Sequence, residues 1–226
     1  MRTVKERGAD IGFALDSDAD RLAIVLENGE PAGEELTLAL AVKYILGRNR
    51  LRRQKHKIVI TNLSTTMAID DVARQGQGTV IRTKIGEVHV AEELKHLKGL
   101  IGGEGNGGVI FPRVGYNRDT LVAAALILNH LAASGKTLSA LANSLPRFEM
   151  VKTKIDCDSL DAANDYLDQI KEKFKGEDMV LTDGVKILLP DAWLHVRASN
   201  TEPVVRLIAE AKTASQAEAL IKRAAP

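Results

Sequence analysis

The sequence has a single cysteine, almost no net charge and no long apolar run, and each scarcity closes off a class of function. Cys157 alone cannot form an intrachain disulfide, and the first ten residues lack the charged-then-apolar layout of a secretion signal. A reducing cytoplasm is the expected setting. The longest uninterrupted apolar stretch, Leu121–Leu128, falls far short of the ~20 residues needed to cross a bilayer, so no membrane association is expected. A formal net charge of +1 creates no bulk field that would recruit nucleic acid. What remains is ordinary material for a globular core. Over 226 residues, 45% are hydrophobic and 27% charged, enough for one or two domains with room for a fragment of another.

Patterning divides the chain into three stretches. Residues 1–32 contain two short apolar strands, Asp10–Leu15 and Leu22–Leu26, around an acidic loop, and read as the end of an α/β domain. Residues 33–146 alternate. Helices are expected at Glu34–Leu46, Thr65–Arg74, Val88–Leu97 and Thr120–Ala133, and strands at Ile58–Thr61, Val80–Arg82 and Leu100–Gly102. Ser64 and Asp119 or Thr120 are candidate N-caps, and Gly76, Gly99 and Gly135 follow helix ends. This alternation predicts a parallel sheet flanked by helices. Residues 147–226 instead place strands Met150–Asp156, Met179–Leu181, Val185–Leu189, Trp193–Arg197 and Val204–Ala209 with helices Leu160–Lys175 and Ser215–Ala224, the order of an α+β domain built on an antiparallel sheet.

Three loops carry chemistry. Asp16-Ser17-Asp18-Ala19-Asp20-Arg21 sets carboxylates at alternate positions between two strands. Left bare they would repel one another, whereas a curled loop can turn them onto one hard divalent cation. A solvated acidic turn is the plainer alternative. An EF-hand, suggested by Glu27 at the twelfth position, is disfavoured because Arg21 stands where that loop needs glycine and because the flanks read as strands. Arg21 suits a phosphate beside the metal.

The second loop is Gly102-Gly103-Glu104-Gly105-Asn106-Gly107-Gly108. It satisfies G-x-G-x-x-G, but Val109-Ile110-Phe111-Pro112 follows it rather than the helix a dinucleotide site requires. Glu104 and Asn106 suit adjacent hydroxyls of a neutral polyol, and a simple tight turn stands equally open. The third is Arg197-Ala198-Ser199-Asn200-Thr201-Glu202-Pro203, followed by Arg206. Hydroxyls, a carboxamide and backbone N–H groups beside arginines can cradle a phosphate, or they can merely satisfy a hairpin turn. The histidines add little. His89 and His96 lie near Glu92 and Glu93 at a spacing that matches no recognised metal motif, and a solvated helix face accounts for them.

In this order the three loops resemble the α-D-phosphohexomutase family over essentially the whole chain: a metal-binding D-x-D-x-D-R loop, a G-E-x-x-G sugar loop and an R-x-S-N-T-E-P phosphate loop. That resemblance implies an intramolecular phosphotransferase interconverting hexose 1- and 6-phosphates through a phosphoserine and a bisphosphate. It implies Mg²⁺ on Asp16, Asp18 and Asp20, with Arg21 beside the serine phosphate. Glu104 and Asn106 would meet the sugar, and Arg197, Ser199, Asn200 and Thr201, with Arg206 nearby, the non-reacting phosphate. The stretch Arg82-Thr83-Lys84-Ile85-Gly86-Glu87 is similar to a loop that reaches substrate, which adds Lys84 as a catalytic candidate and Glu87 as a sugar contact, against the plainer reading of a solvated helix start. Many relatives have serine and histidine where this chain has Asn106 and Gly108, so the hydroxyl contacts are expected to differ. The family's serine lies in a T-A-S-H-N-P type loop on another domain, and no such string occurs here. The expected partners are therefore a hexose phosphate and that serine domain, with a glucosamine-phosphate mutase or a non-catalytic sugar-phosphate binder as alternatives.

Overall fold

The computed structural model describes residues 1–48 and 56–225. The described chain divides into two compact units, residues 1–146 and 147–226.

The first unit begins with a short helix α1 (Arg2–Arg7) and an antiparallel pair, β1 (Ile11–Leu15) and β2 (Leu22–Leu26), in the register Leu15 opposite Leu22. There follow α2 (Glu34–Gly47), β3 (Ile58–Asn62), α3 (Ala68–Gln75), β4 (Thr79–Thr83), α4 (Glu87–His96), β5 (Ile101–Glu104), β6 (Gly108–Ile110), α5 (Thr120–Ser134) and α6 (Leu138–Asn143). The sheet order is β4-β3-β5-β6. Three strands run parallel as the alternation predicts, while β6 turns back antiparallel along β5, because the glycine loop between them is too short for a crossover.

Strand alternation sorts the core into two layers of helices. Val59, Ile101 and Val109 face α2, α3, α5 and α6, whereas Ile60 and Ile110 face Val90, Ala91 and Leu94 of α4. Helix α2 is apolar almost all round and buries eight residues, each large one stabilising by roughly 1.5–3 kcal/mol. Leu22 and Ile24 of β2 lie in the same core, so the hairpin packs onto this unit.

Local signals account for most element ends. Asp119 caps α5 by accepting from the Val122 N–H at 2.9 Å, and Gly135 closes it with a left-handed φ of 63°. Helix α3 starts at Ala68 rather than Thr65, because the side chains of Thr65 and Thr66 bond to loop groups and so shape a turn ahead of the helix. The N-cap position of α3 is Met67 rather than Ser64, whose backbone N–H donates to Asn62 Oδ1 at 2.9 Å.

In the second unit, β7 (Glu149–Asp156), α7 (Leu160–Lys173), β8 (Asp178–Val180), β9 (Val185–Leu189), β10 (Ala192–Ala198), β11 (Val204–Ala211) and α8 (Ala214–Ala224) form a five-stranded antiparallel sheet in the order β7-β11-β10-β9-β8. Leu194, Val196, Val205, Leu207 and Ala209 alternate inward onto Ala163, Tyr166 and Ile170 of α7 and Ala217 and Ala224 of α8. Ser159 and Thr213 cap the two helices. The α/β and α+β classes expected from the sequence are those observed.

Candidate functional site

The acidic loop is held by its own arginine. Arg21 Nε donates to Asp16 Oδ2 at 2.6 Å, and the backbone N–H groups of Asp20 and Arg21 donate to Asp16 Oδ1 at 3.2 Å. Partial desolvation pushes the Asp16 carboxyl up, but the Arg21 side chain and these N–H donors outweigh it and hold the group below its ordinary value. Asp16 raises the Arg21 guanidinium in turn, chiefly through the same hydrogen bond. Ala19, between Asp18 and Asp20, takes a left-handed φ of 56°, a conformation that costs a β-carbon residue roughly 1–2 kcal/mol. Its carbonyl is fixed by the Thr120 hydroxyl at 2.9 Å.

The glycine loop approaches from β5 and β6. Its tightness requires glycine at two places: a Cβ on Gly103 (φ 149°) would stand 2.0 Å from the Gly108 carbonyl oxygen, and one on Gly107 (φ 90°) 2.6 Å from that of Leu22. The Leu22 N–H also donates to the Gly107 carbonyl at 3.1 Å, stitching β2 to this loop. Glu104 is only 4% exposed. Its Oε1 accepts from Asn62 Nδ2 at 2.7 Å and from the Gly86 N–H at 3.1 Å. Asn106 Oδ1 accepts from the Gly108 N–H at 3.2 Å and so shapes the turn itself.

Arg118 joins these loops. Its Nη2 pairs with Asp20 Oδ2, its Nη1 with Glu104 Oε2 at 3.1 Å, and its Nε lies 3.2 Å from Glu87 Oε2. The Arg118 backbone N–H donates to Glu87 Oε1 at 2.6 Å. Sequence reasoning missed Arg118 and Asn62 as site residues. Asn117-Arg118-Asp119 reads locally as a helix start, and the partners of Arg118 lie far away in sequence. Lys84 is exposed and its ammonium makes no hydrogen bond or ion pair among the described residues, so the 82–87 stretch enters the site through Gly86 and Glu87.

The three aspartates do not converge: among the described residues no group of three acidic, histidine or cysteine side chains is arranged to hold a metal ion. Asp16 turns to Arg21, Asp20 to Arg118, and Asp18 accepts from the Ser17 hydroxyl at 3.3 Å. The donor chemistry nevertheless fits a hard cation. Asp20 Oδ1 is buried and has no hydrogen-bond donor among the described residues, and four carboxylates, those of Asp16, Asp20, Glu87 and Glu104, share the two guanidiniums of Arg21 and Arg118.

The third loop belongs to the second unit. Ser199 Oγ accepts from the N–H groups of Thr201 and Glu202 at 3.4 and 3.3 Å, and the Ser199 N–H closes the hairpin onto the Val204 carbonyl at 2.9 Å. Side chains of Asn200 and Thr201 are exposed. Beside the loop the register sets Lys154, Arg206 and Arg197 directly opposite one another across β7, β11 and β10. Like charges in facing positions destabilise a sheet unless negative charge lies beside them. The acids nearest to it are Asp156, 3.2 Å from Lys154, and Asp183, 3.7 Å from Arg197.

The acidic loop clasped to the glycine-rich carboxylate loop on the α/β unit, and the hairpin beside the cationic row on the antiparallel unit, are the three loops that carry the resemblance to the phosphohexomutases. Residues 33–148 match the family description "Phosphoglucomutase/phosphomannomutase, alpha/beta/alpha domain III" and residues 150–226 match "Phosphoglucomutase/phosphomannomutase, C-terminal domain", so the chain belongs to the phosphoglucomutase/phosphomannomutase family. It is 39% identical over 218 residues to a "Phosphoglucomutase/phosphomannomutase" of Thermococcus kodakarensis, covering 96% of this chain and 46% of that relative. It is 38% identical over 226 residues to a "Probable phosphoglucosamine mutase" of Pyrococcus horikoshii, covering 99% and 49%. Among solved structures, a phosphoglucomutase/phosphomannomutase family protein from Burkholderia thailandensis superposes with a TM-score of 0.80 at 27% identity, covering 99% of this chain and 48% of that one. The chain spans about half the length of the curated relatives it matches. No described helix is long and apolar enough to cross a membrane.

Proposed function

We propose that this chain supplies the metal, sugar and phosphate loops of an enzyme that interconverts hexose 1-phosphate and hexose 6-phosphate. In that reading residues 1–32 close one domain, 33–146 form the sugar-reading domain and 147–226 the phosphate-binding domain. The observation that carries it is the cationic row Lys154–Arg206–Arg197 beside the Ser199–Thr201 hairpin, within a chain whose family handles sugar phosphates. Arg197 holds the non-reacting phosphate by charge, and Ser199, Asn200 and Thr201 add neutral hydrogen bonds. Arg206 supports them from the facing position.

Asp16, Asp18 and Asp20 would hold Mg²⁺, which when bound neutralises charge on a transferring phosphoryl group. Arg21, already oriented by Asp16, stands ready for the phosphoserine. Phosphoryl transfer breaks the serine O–P bond and forms a bond from phosphorus to a sugar oxygen, while the hydroxyl proton leaves to a base. Lys84 is the exposed side chain free to swing toward the reacting groups. Glu104, Asn106 through its carboxamide NH₂, and Glu87 read the sugar hydroxyls. The phosphoserine itself has no counterpart motif in these 226 residues, so the chain alone is expected to give no sustained turnover. A glucosamine phosphate is the second substrate reading, favoured by the identity to relatives named as phosphoglucosamine mutases.

Shift mapping on ¹⁵N-labelled chain tests the reading without catalysis. Glucose 6-phosphate and glucosamine 6-phosphate are each titrated in the presence of Mg²⁺. Movement of amides in both 102–108 and 197–203 is expected, and the tighter of the two sugars identifies the substrate. If neither ligand moves either loop, the mutase reading fails.

A further inference from the structure

Arg118 is mostly buried, with 18% of its side chain exposed, and it is the meeting point of three carboxylates from three separate segments: the acidic loop, the start of α4 and the glycine loop. Its two terminal nitrogens are divided, one to Asp20 and the other to Glu104. Only a forked, planar cation can serve both at once. A change at either carboxylate must therefore be felt by the guanidinium and handed to the other. Its backbone is fixed independently of Asp20 and Glu104, because its own N–H is tied to Glu87 and the next residue caps α5. A would-be Cβ at Gly108 lies 2.3 Å from Arg118 Cδ, so the side chain is also boxed in by the glycine loop it serves.

We propose that Arg118 is a positioning residue that couples the acidic loop to the glycine loop, acting as a shared counter-ion whose hold on Glu104 depends on the state of Asp20. Neutralising Asp20, by substitution or by a cation, lets the guanidinium settle onto Glu104 and Glu87. The orientation of Glu104 changes in consequence, and Gly86, whose N–H donates to Glu104 Oε1, reports it. The coupling itself stands on the ligand-free geometry, and only its use rests on the metal and sugar roles proposed above.

Two arms test it. In the first, without metal or ligand, Asp20→Asn is expected to move the Gly86 amide signal by more than those of Gly76 and Gly135, which lie elsewhere in the same unit. Made on an Arg118→Lys background, where the charge is kept but the fork is lost, the same substitution leaves Gly86 in place. The reciprocal change, Glu104→Gln moving the Asp20 amide, gives the same reading if the Arg118 variant does not fold. A Gly86 signal that ignores Asp20→Asn, or one that moves equally in the Arg118→Lys background, overturns the proposal, as does an Asp20 amide indifferent to Glu104→Gln. In the second arm Mg²⁺ is titrated by calorimetry. Arg118→Gln is expected to bind Mg²⁺ about tenfold more tightly than wild type, because it removes a unit positive charge paired with Asp20 that would repel a divalent ion held there. Equal affinities together with a positive first arm would overturn the metal role of Asp20 and leave the coupling standing.

Discussion

Replacing Arg197 by alanine is the perturbation that reads the phosphate site most directly. In the ligand-free chain the nearest acid to Arg197 is Asp183, with its oxygen 3.7 Å from Nη1, beyond hydrogen-bonding reach. The guanidinium therefore gives up little when an anion arrives, and most of a charge-assisted hydrogen bond, roughly 1.5–3 kcal/mol, appears as affinity. Loss of that contribution corresponds to about a tenfold to hundredfold rise in Kd. Arg206→Ala and Lys154→Ala should weaken binding less: Arg206, on the returning arm of the hairpin, is exposed and its charge better screened than that of half-buried Arg197, and Lys154 already has Asp156 at 3.2 Å. Thr201→Ala removes one neutral hydrogen bond and should cost about 1 kcal/mol. Calorimetric titration with inorganic phosphate and with glucose 6-phosphate, at low and at physiological salt, measures all four. The expected ranking is Arg197 first, then Arg206, Lys154 and Thr201. Inorganic phosphate should compete with the sugar phosphate, because the loop reads the anion. An Arg197→Ala chain that binds phosphate as wild type does would refute the reasoning, as would a ranking led by Thr201.

The triple Asp16→Asn, Asp18→Asn, Asp20→Asn variant should lose Mn²⁺ binding measured by electron paramagnetic resonance, and undiminished binding would move the metal elsewhere. Glu104→Gln keeps the shape but breaks a buried ion pair with Arg118, and is expected to lower stability by about 3 kcal/mol in a denaturant titration. Trp193→Phe removes the 2.6 Å bond from the indole N–H to the buried Glu210 and should cost about 2 kcal/mol, seen as a lower Tm. Burial holds the His195 imidazole below the ordinary value of 6.5, against the opposing pull of its bond to the Asp183 carbonyl, and His130 is likewise depressed by burial. Both native imidazoles resist a proton that the unfolded chain accepts, so stability is full above about pH 6.5 and falls as pH drops below it. His195→Gln should flatten that fall, and an unchanged pH profile would assign it to other groups.

Much of this site was legible because its loops are local in sequence. The alternate aspartates, the glycine run and the Ser-Asn-Thr hairpin each fall within seven residues, and the strands and helices around them carry clear periodicity. What escaped was either too short or too distant. Helices α1 and α6 have six residues each, too few turns for a periodic apolar pattern to emerge. Helix α6 is fixed instead by Thr137 and by Glu27, whose carboxylate accepts the Ser139 N–H at 3.0 Å from across the unit. The roles of Asn62 and Arg118 arise only when strands β3 and β5 and the loop before α5 are brought side by side. No local window contains that information. The same remoteness hid the condition of Glu104: the sequence offers it as a bare acceptor, while the fold surrounds it with donors.

The contact between Asp20 and Arg118 spans 98 residues of chain. Closing a loop of that length costs about 4 kcal/mol of chain entropy, recovered only once the intervening sheet and helices have packed. The clasp between the acidic and glycine loops is consequently expected to close late, after the local Asp16–Arg21 contacts of the acidic loop itself, and partly folded chains should lack it. Any ligand that requires the clasped loops selects the fully folded unit and stabilises it in proportion to RT ln(1 + [L]/Kd). A thermal-shift screen of sugar phosphates and cations would then read site occupancy through the melting of a whole domain, and a ligand that leaves the melting temperature unmoved does not occupy the site.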